Sequence, residues 1–405
     1  MVQRVAAFSV HTSPLAQPGV GDGGGMNVYV DSLTTALARA GVECDVFCRA
    51  DHPDVPTIVE VQPGYRVINL EVGPRRSLSR AHWPAIIDEY SERASEFMRT
   101  EGPYDVLHAH YWLSGAIAHR LKHELDVPLI TTFHTLARVK AAAGFDDDLE
   151  RDAFEDGVVR CSDLIVANTH DERSELLSLY DAPTDRIEVL PPGVDHTVFH
   201  ARGREAAKAR LGLGERPTIL FAGRIQPLKG ADVAVRVLAA VRDLDAVLLL
   251  VGGPSGIDGE RELQRLDRLV DELGVRNRIR FVPPQSHGAL ARYYRAADVC
   301  VVPSRTESFG LVALEAQSCG TPVVASAVGG LRHAVAHERS GYLVGCCDAA
   351  NFVGPVRAVL SNADLRARLS AGAVEHAAGF SWSIAAAKLR RLCSDLTSRE
   401  LVQCS

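Results

Sequence analysis

The sequence predicts an α/β protein of two doubly wound domains that face each other across a cleft. Short apolar runs alternate with amphipathic stretches along nearly all of its 405 residues, the pattern of parallel strands covered by helices on both faces. That pattern restarts near residue 217, after a polar, helix-prone stretch from Ala201 to Gly214. The length also suits two domains of ordinary size.

In the first half the expected strands are Arg4–Val10, Glu43–Cys48, Val67–Leu70, Val106–Ala109, Leu129–Phe133, Leu164–Ala167 and Ile187–Leu190, with helices such as Met26–Ala40 and Glu150–Cys161 between them. In the second half they are Thr218–Ala222, Val247–Gly252, Ile279–Val282, Val299–Pro303 and Val323–Ser326, with helices such as Ala231–Val241 and Arg261–Leu273. Short strands with helices between them read as crossover units. The expected domains are 1–200 and 201–382, with a last helix in 383–405 returning to the first.

The composition, 46% hydrophobic and 23% charged, allows a sizeable core, and a net charge of -7 argues against nucleic-acid binding. Nine scattered cysteines read as buried thiols of a reducing compartment rather than a disulfide framework. Cys44 and Cys48 lie on a strand with no partners to complete a zinc site. The short apolar start reads as a strand, not a leader, and no run reaches bilayer length. A cytoplasmic protein is expected, and a homodimer is compatible with this reading.

Glu307-Ser308-Phe309-Gly310-Leu311-Val312-Ala313-Leu314-Glu315 follows the strand Val299–Pro303 and reads as a helix start between two carboxylates. Helix starts suit phosphate, and carboxylates suit the hydroxyls of ribose or sugar. In Gly223-Arg224-Ile225-Gln226-Pro227-Leu228-Lys229-Gly230, Arg224 and Lys229 occupy a strand-to-helix loop able to hold a diphosphate. The bland alternative there is a solvated basic loop closed by Gly230.

Gly19-Val20-Gly21-Asp22-Gly23-Gly24 matches G-x-G-x-x-G, and Asp45 stands where a dinucleotide fold has its ribose acid. The NAD reading fails on context. His11 to Pro18 separates the glycines from the first strand, whereas the fingerprint needs them directly after it. A loop bringing backbone amides to an anion, ahead of the helix at Met26, fits better.

His11, His108-Ala109-His110-Tyr111 and Thr132-Phe133-His134-Thr135 stand at strand ends, the ligand edge of such a sheet. His11 and His134 sit at strand-to-loop switches and are the better ligand candidates, while His108 reads as a structural histidine. Arg138, Lys140 and Arg151, taken singly, read as solvated surface.

Together, Gly24-Gly25, Gly223-Arg224 with Lys229, and Glu307-x7-Glu315 resemble the retaining glycosyltransferases of family 4, which have the GT-B fold. The resemblance covers essentially the whole chain. Residues 11–22 with Gly24 to Tyr29, His110 to Gly115, Gln226-Pro227, Gly252 to Gly256, and Glu307 to Gln317 look like the branch that opens mycothiol biosynthesis in actinobacteria. That branch moves N-acetylglucosamine from UDP-GlcNAc to inositol phosphate.

The resemblance implies roles. Arg224, Lys229 and Glu315 would hold UDP, with Glu315 on the ribose. Glu307 and the amides of Phe309 and Gly310 would meet the donor sugar and diphosphate, and Gly25 would approach the diphosphate from the other domain. Gln17, Pro18 and Gln285 would join the donor site, and His134 would stand near the reacting centre. His11, Asn27, Arg80, Tyr111, Thr135 and Arg151 would hold the acceptor and its phosphate. No cofactor is implied for the chemistry. A structural magnesium ion, remote from it, would fall at Tyr294, Arg295, Ala297 and Thr321.

Two positions depart from the family. Arg80 stands in place of the acceptor-phosphate lysine, and Lys140-Ala141-Ala142-Ala143 lacks the asparagine that usually follows the lysine. Both fall in the acceptor half, which keeps a paralogue acting on another cyclitol or small metabolite among the readings. A nucleotide-sugar epimerase or hydrolase and a non-enzymatic sugar-nucleotide binder are the readings from other classes.

Overall fold

The computed structural model describes residues 2–19, 23–142, 144, 148–256, 258–345 and 348–403. The chain divides into two compact units: Met1–Ala16 with Met26–Pro191 and Trp382–Ser405, and Gln17–Gly25 with Pro192–Ser381. The glycine-loop segment Gln17–Gly25 thus groups with the second unit, not with the domain expected from its place in the sequence.

The first unit holds strands β1 (Arg4–Phe8), β2 (Glu43–Arg49), β3 (Ile58–Gln62), β4 (Tyr65–Leu70), β5 (Val106–His110), β6 (Leu129–Thr132), β7 (Leu164–Ala167) and β8 (Ile187–Val189). Their order in the sheet is β3-β4-β2-β1-β5-β6-β7-β8. All pairings are parallel except β3 with β4, an antiparallel edge pair not foreseen in the sequence. The strand order switches at β1, flanked by β2 and β5, and doubly wound sheets bind ligands beyond the strand ends at such a point.

The second unit holds β9 (Thr218–Ala222), β10 (Val247–Val251), β11 (Ile279–Val282), β12 (Val299–Val302), β13 (Val323–Ser326) and β14 (Gly341–Val344), in the order β11-β10-β9-β12-β13-β14. Every pairing is parallel, and the switch lies at β9, between β10 and β12. β9 and β12 are buried along their whole length. Alternate residues serve opposite faces: Ile219, Phe221, Leu248, Leu250 and Val301 enter one core, and Leu220, Leu249, Cys300 and Val302 the other. Each such side chain contributes about 1.5–3 kcal/mol by leaving water, so this sheet is a rigid platform for the loops at its carboxyl edge.

The helix Trp382–Leu396 lies in the first unit and buries Leu389, Cys393 and Leu396. Arg390 donates to the Ala40 carbonyl at 2.8 Å and Lys388 to the Val189 carbonyl at 2.8 Å. Among the described residues no helix is long and apolar enough to cross a membrane. Cys44, Cys48, Cys300, Cys319 and Cys393 are buried free thiols. Cys161 is disulfide-bonded, which corrects the all-thiol expectation. Cys346, Cys347 and Cys404 lie outside the described residues.

Candidate active site

In the second unit the ends of β9 and β10 nearly touch. A Cβ on Gly252 would overlap the Gly223 carbonyl, so no larger residue fits there. Beyond Gly223, Ile225 N donates to the Gly253 carbonyl at 2.8 Å, and a short 3-10 turn, Pro227–Lys229, follows. Gly230 closes that turn at φ 69°, against the Pro303 carbonyl. Arg305 fixes the turn from β12's loop by donating to Leu228 and Pro227 carbonyls at 2.8 and 3.1 Å. Lys229 is thereby presented to Glu307: Nζ lies 2.7 Å from Oε2, which also accepts from the Ser304 hydroxyl at 3.1 Å. This is a part-buried pair rather than the solvated basic loop of the alternative reading.

The helix after β12 is Leu311–Ser318, with Gly310 as its N-cap at φ 98°. Among the described residues no side chain caps it, and its first turn carries no acid, the setting in which helix N-terminal amides can take an anion. The loop before it is held by two glycines the sequence reading passed over. Gly330 N donates to the Glu307 carbonyl at 2.9 Å, and a Cβ on Gly330 would overlap Phe309 and Ser308. Gly329, at φ 41°, packs as tightly on the Glu307 carbonyl.

Glu315, one helical turn further, is 6% exposed and accepts from the Tyr294 hydroxyl at 2.9 Å. Burial pushes its carboxyl upward; the charge of His287 and the Tyr294 bond oppose that. Such a carboxylate retains lone pairs for a diol. The Gln17 side-chain amide donates to the Gln285 carbonyl at 2.9 Å, and a Cβ on Gly19 would meet Pro284 at 3.2 Å. Gly24 approaches Arg224 so closely that a Cβ there would lie 3.4 Å from Cζ. The glycine loop therefore groups with Arg224 in the second unit, and Gly25, at its end, opens the helix Gly25–Arg39. Val20, Gly21 and Asp22 lie outside the described residues. Asp45, the acid of the NAD reading, is consumed in β2's surroundings by Arg4, Arg66 and Tyr104 at 2.6–2.8 Å.

Tyr294, Arg295, Ala297 and Thr321 do come together, at the opposite edge of the sheet from Lys229. Thr321 Oγ1 donates to the Tyr294 carbonyl at 2.6 Å, and the Arg204 guanidinium donates to the carbonyls of Ala297 and Arg295 at 2.6 and 3.3 Å. The nearby Asp298 carboxylate is paired with Arg204, Lys208 and Arg366. Magnesium prefers carboxylate and water ligands in a regular octahedron. Here it would share neutral carbonyls with a fixed cation, so these residues do not fit the expected ion.

In the first unit, Tyr111 follows β5 at φ 76° and His134 follows β6 at φ 62°. Non-glycine residues held there store about 1–3 kcal/mol each, a cost that recurs at functional sites. The His11 ring packs between Tyr111 and Trp83, with centroids 4.7 and 5.0 Å away. Its buried Nδ1 has no hydrogen-bond partner among the described residues. Burial first, then the charges of Arg80 and Arg151, lower its pKa to about 3.

Arg151 is not the solvated residue its sequence position suggested: it is buried, donates to Glu155 at 2.6 Å and to the Thr135 carbonyl and hydroxyl at 2.6 and 3.1 Å, and lies 4.9 Å over the Tyr111 ring. His11, Tyr111, Thr135 and Arg151 thus gather at the carboxyl ends of β1, β5 and β6, with the charge of Arg80 felt there. Asn27 braces the adjoining loop, donating to Thr12 Oγ1 and the Ser13 carbonyl at 2.7 and 2.6 Å. Arg138 is tied up with Asp152 and Asp156, and Ala143 lies outside the described residues.

His134 is buried, its Nε2 3.0 Å from Nδ1 of His110, with Tyr29 edge-on at 4.8 Å. His108 bonds the Thr132 hydroxyl at 2.9 Å and is the satisfied structural histidine it reads as. His110, Tyr29 and Trp83 were missed as parts of the site. The period-2 pairing of His108 with His110 on one strand face was the signal for His110.

Two family profiles match the chain: "Glycosyl transferase 4-like domain" over residues 24–193 and "Glycosyl transferases group 1" over 203–376. D-inositol 3-phosphate glycosyltransferase of Thermobispora bispora is 44% identical, over 98% of this chain and 96% of that one. Its counterpart from Xylanimonas cellulosilytica is 46% identical, over 98% and 97%. Among solved structures, sucrose-phosphate synthase from Thermosynechococcus elongatus superimposes with a TM-score of 0.91 at 32% identity, over 97% of this chain and 99% of that one. The chain belongs to the family-4 glycosyltransferases of GT-B fold, alongside the D-inositol 3-phosphate glycosyltransferases.

Proposed function

We propose that this glycosyltransferase moves N-acetylglucosamine from UDP-GlcNAc to 1D-myo-inositol 3-phosphate with retention of anomeric configuration, as in the first step of mycothiol biosynthesis. The observation that carries the acceptor assignment is the cluster of side chains at the strand ends of the first unit. A buried Arg151, the charge of Arg80 and an unpartnered His11 nitrogen suit a phosphate, and Thr135 and Tyr111 line the same place. The near full-length identity to D-inositol 3-phosphate glycosyltransferases supports the same reading.

The donor would lie on the second unit, with Glu315 on the ribose hydroxyls and the diphosphate between Arg224, Lys229 and the uncapped helix start at Gly310. As the bond to the anomeric carbon breaks, negative charge grows on the diphosphate, and these preorganised groups stabilise it. Glu307 both orients Lys229 and meets the donor sugar. No side chain is assigned as covalent nucleophile, so the acceptor hydroxyl attacks the face the diphosphate leaves, and the departing phosphate oxygen takes its proton. His134 would stand beside the reacting centre.

The test crosses UDP-, GDP- and ADP-sugars with inositol 3-phosphate, inositol and other cyclitols, reading nucleotide release. UDP-GlcNAc with inositol 3-phosphate should be the best pair by at least tenfold. Equal rates with unphosphorylated inositol would overturn the acceptor assignment. Arg80, standing for a lysine, supports a second reading, a different phosphorylated cyclitol, which the same panel would expose.

A further inference from the structure

We propose that His110 is a positioning residue for glycosyl transfer, fixing the ring orientation and proton location of His134. The inference rests on the reading that places His134 beside the donor sugar.

Three observations carry it. The first is topological. His110 is the last residue of β5 and pairs in register with Thr132 of β6, two residues before His134. Two neighbouring strand ends therefore deliver the two imidazoles to one place.

The second is the bond itself. His110 Nδ1 lies 3.0 Å from His134 Nε2, and His110 is 1% exposed. Burial lowers the pKa of His134 to about 3 and that of His110 well below its ordinary value, with the neighbouring histidines adding to both shifts. Both rings are thus neutral, and a neutral imidazole has one donor and one acceptor nitrogen. Sharing one proton in the bond commits Nε2 of His134. Whichever ring donates, the shared proton couples the tautomer of His134 to that of His110 and holds the His134 ring in one orientation.

The third is that His110 is itself held. Its ring packs against His108, tilted by 44° with centroids 4.1 Å apart, and His108 is bonded to Thr132. Tyr29 packs on both His110 and His134, at 5.8 and 4.8 Å. A histidine free to turn could not set the tautomer of another. This one is braced on the strand side and by Tyr29, and its partner sits in the left-handed conformation at φ 62°.

The experiment uses the full chain with the best donor–acceptor pair from the panel above, and reads kcat, donor KM and melting temperature. The variants are His134→Ala, His110→Phe, His110→Asn and the double variant His110→Phe/His134→Ala. Asparagine can place a nitrogen or oxygen close to the position of Nδ1; phenylalanine fills the space without one. His110→Phe should lower kcat about tenfold to a hundredfold, the range for removing a partner that orients a functional histidine, with donor KM within about threefold. His110→Asn should recover most of the loss. In the His134→Ala background, His110→Phe should cost nothing further.

The proposal is overturned if His110→Phe costs as much without His134 as with it, or if the Asn and Phe variants are equally impaired at equal melting temperature. If His110→Phe does not fold, His110→Leu carries the same comparison. Normal turnover of His134→Ala would instead sink the placement of His134, a different failure from normal turnover of His110→Phe alone.

Discussion

Replacing Lys229 by alanine separates chemistry from stability. In the structure its ammonium lies 2.7 Å from Glu307, with side-chain exposures of 24% and 18%, and Glu307 keeps the Ser304 hydroxyl at 3.1 Å when the lysine is gone. The pair is part-exposed, so its loss should cost at most about 1 kcal/mol of stability, a fall of about 2–4 °C in melting temperature for a domain of this size. In the proposed mechanism the same ammonium meets a departing diphosphate, where one preorganised contact is worth about 2.7–4 kcal/mol. Turnover should therefore fall about 10²- to 10³-fold while the protein still folds. The assay is UDP release at saturating substrates beside a thermal melt. A turnover within fivefold of wild type would refute the role given to Lys229. A large drop in melting temperature would mean that the lysine is chiefly structural.

Three further outcomes follow from the geometry. Gly330→Ala should displace the loop at Phe309, because its Cβ has no room against Phe309 and Ser308; donor KM should rise well above wild type, with about 1–3 kcal/mol lost in a urea titration. Acid should destabilise the first unit through His11, His108 and His134, each held near 3 against an ordinary 6.5. In the window between these values the unfolded chain binds more protons than the folded one, so stability is fully present above pH 6.5 and falls as pH drops toward 3, visible as a decreasing urea midpoint. Magnesium or EDTA should leave the wild-type melting temperature unchanged, whereas Arg204→Gln should lower it; a magnesium-induced rise in wild type would contradict the fit of Arg204 to those carbonyls.

How much of this was legible depended on how locally each feature is encoded. Strands such as Thr218–Ala222 and Leu164–Ala167 are buried on both faces, so their apolar runs mark them to the residue. β3 and β14 lie at sheet edges with half-exposed side chains, and their mixed composition hid them. Pro63-Gly64 between β3 and β4 was the available turn signal. The placement of Arg224, Lys229 and Glu307 in strand-to-helix loops, and of Glu315 on the helix that follows, was readable from the local pattern. His110 and Gly330 act through residues 24 and 23 positions away, and no local pattern says which loops meet. Arg151 misled for a related reason. Its i,i+4 partner Glu155 looks like a surface pair, and only the fold brings Thr135 and Tyr111 over it. The resemblance named Tyr294, Arg295, Ala297 and Thr321 together, but it did not reveal the Arg204 guanidinium that donates to the Ala297 and Arg295 carbonyls.

The most direct measurement is the product itself. Incubation with UDP-GlcNAc and 1D-myo-inositol 3-phosphate should yield one product with the mass of an N-acetylglucosaminyl inositol phosphate, and the small anomeric proton coupling of an α-linkage, matching the donor. A β-linked product, or UDP release that yields only free N-acetylglucosamine, would contradict the account.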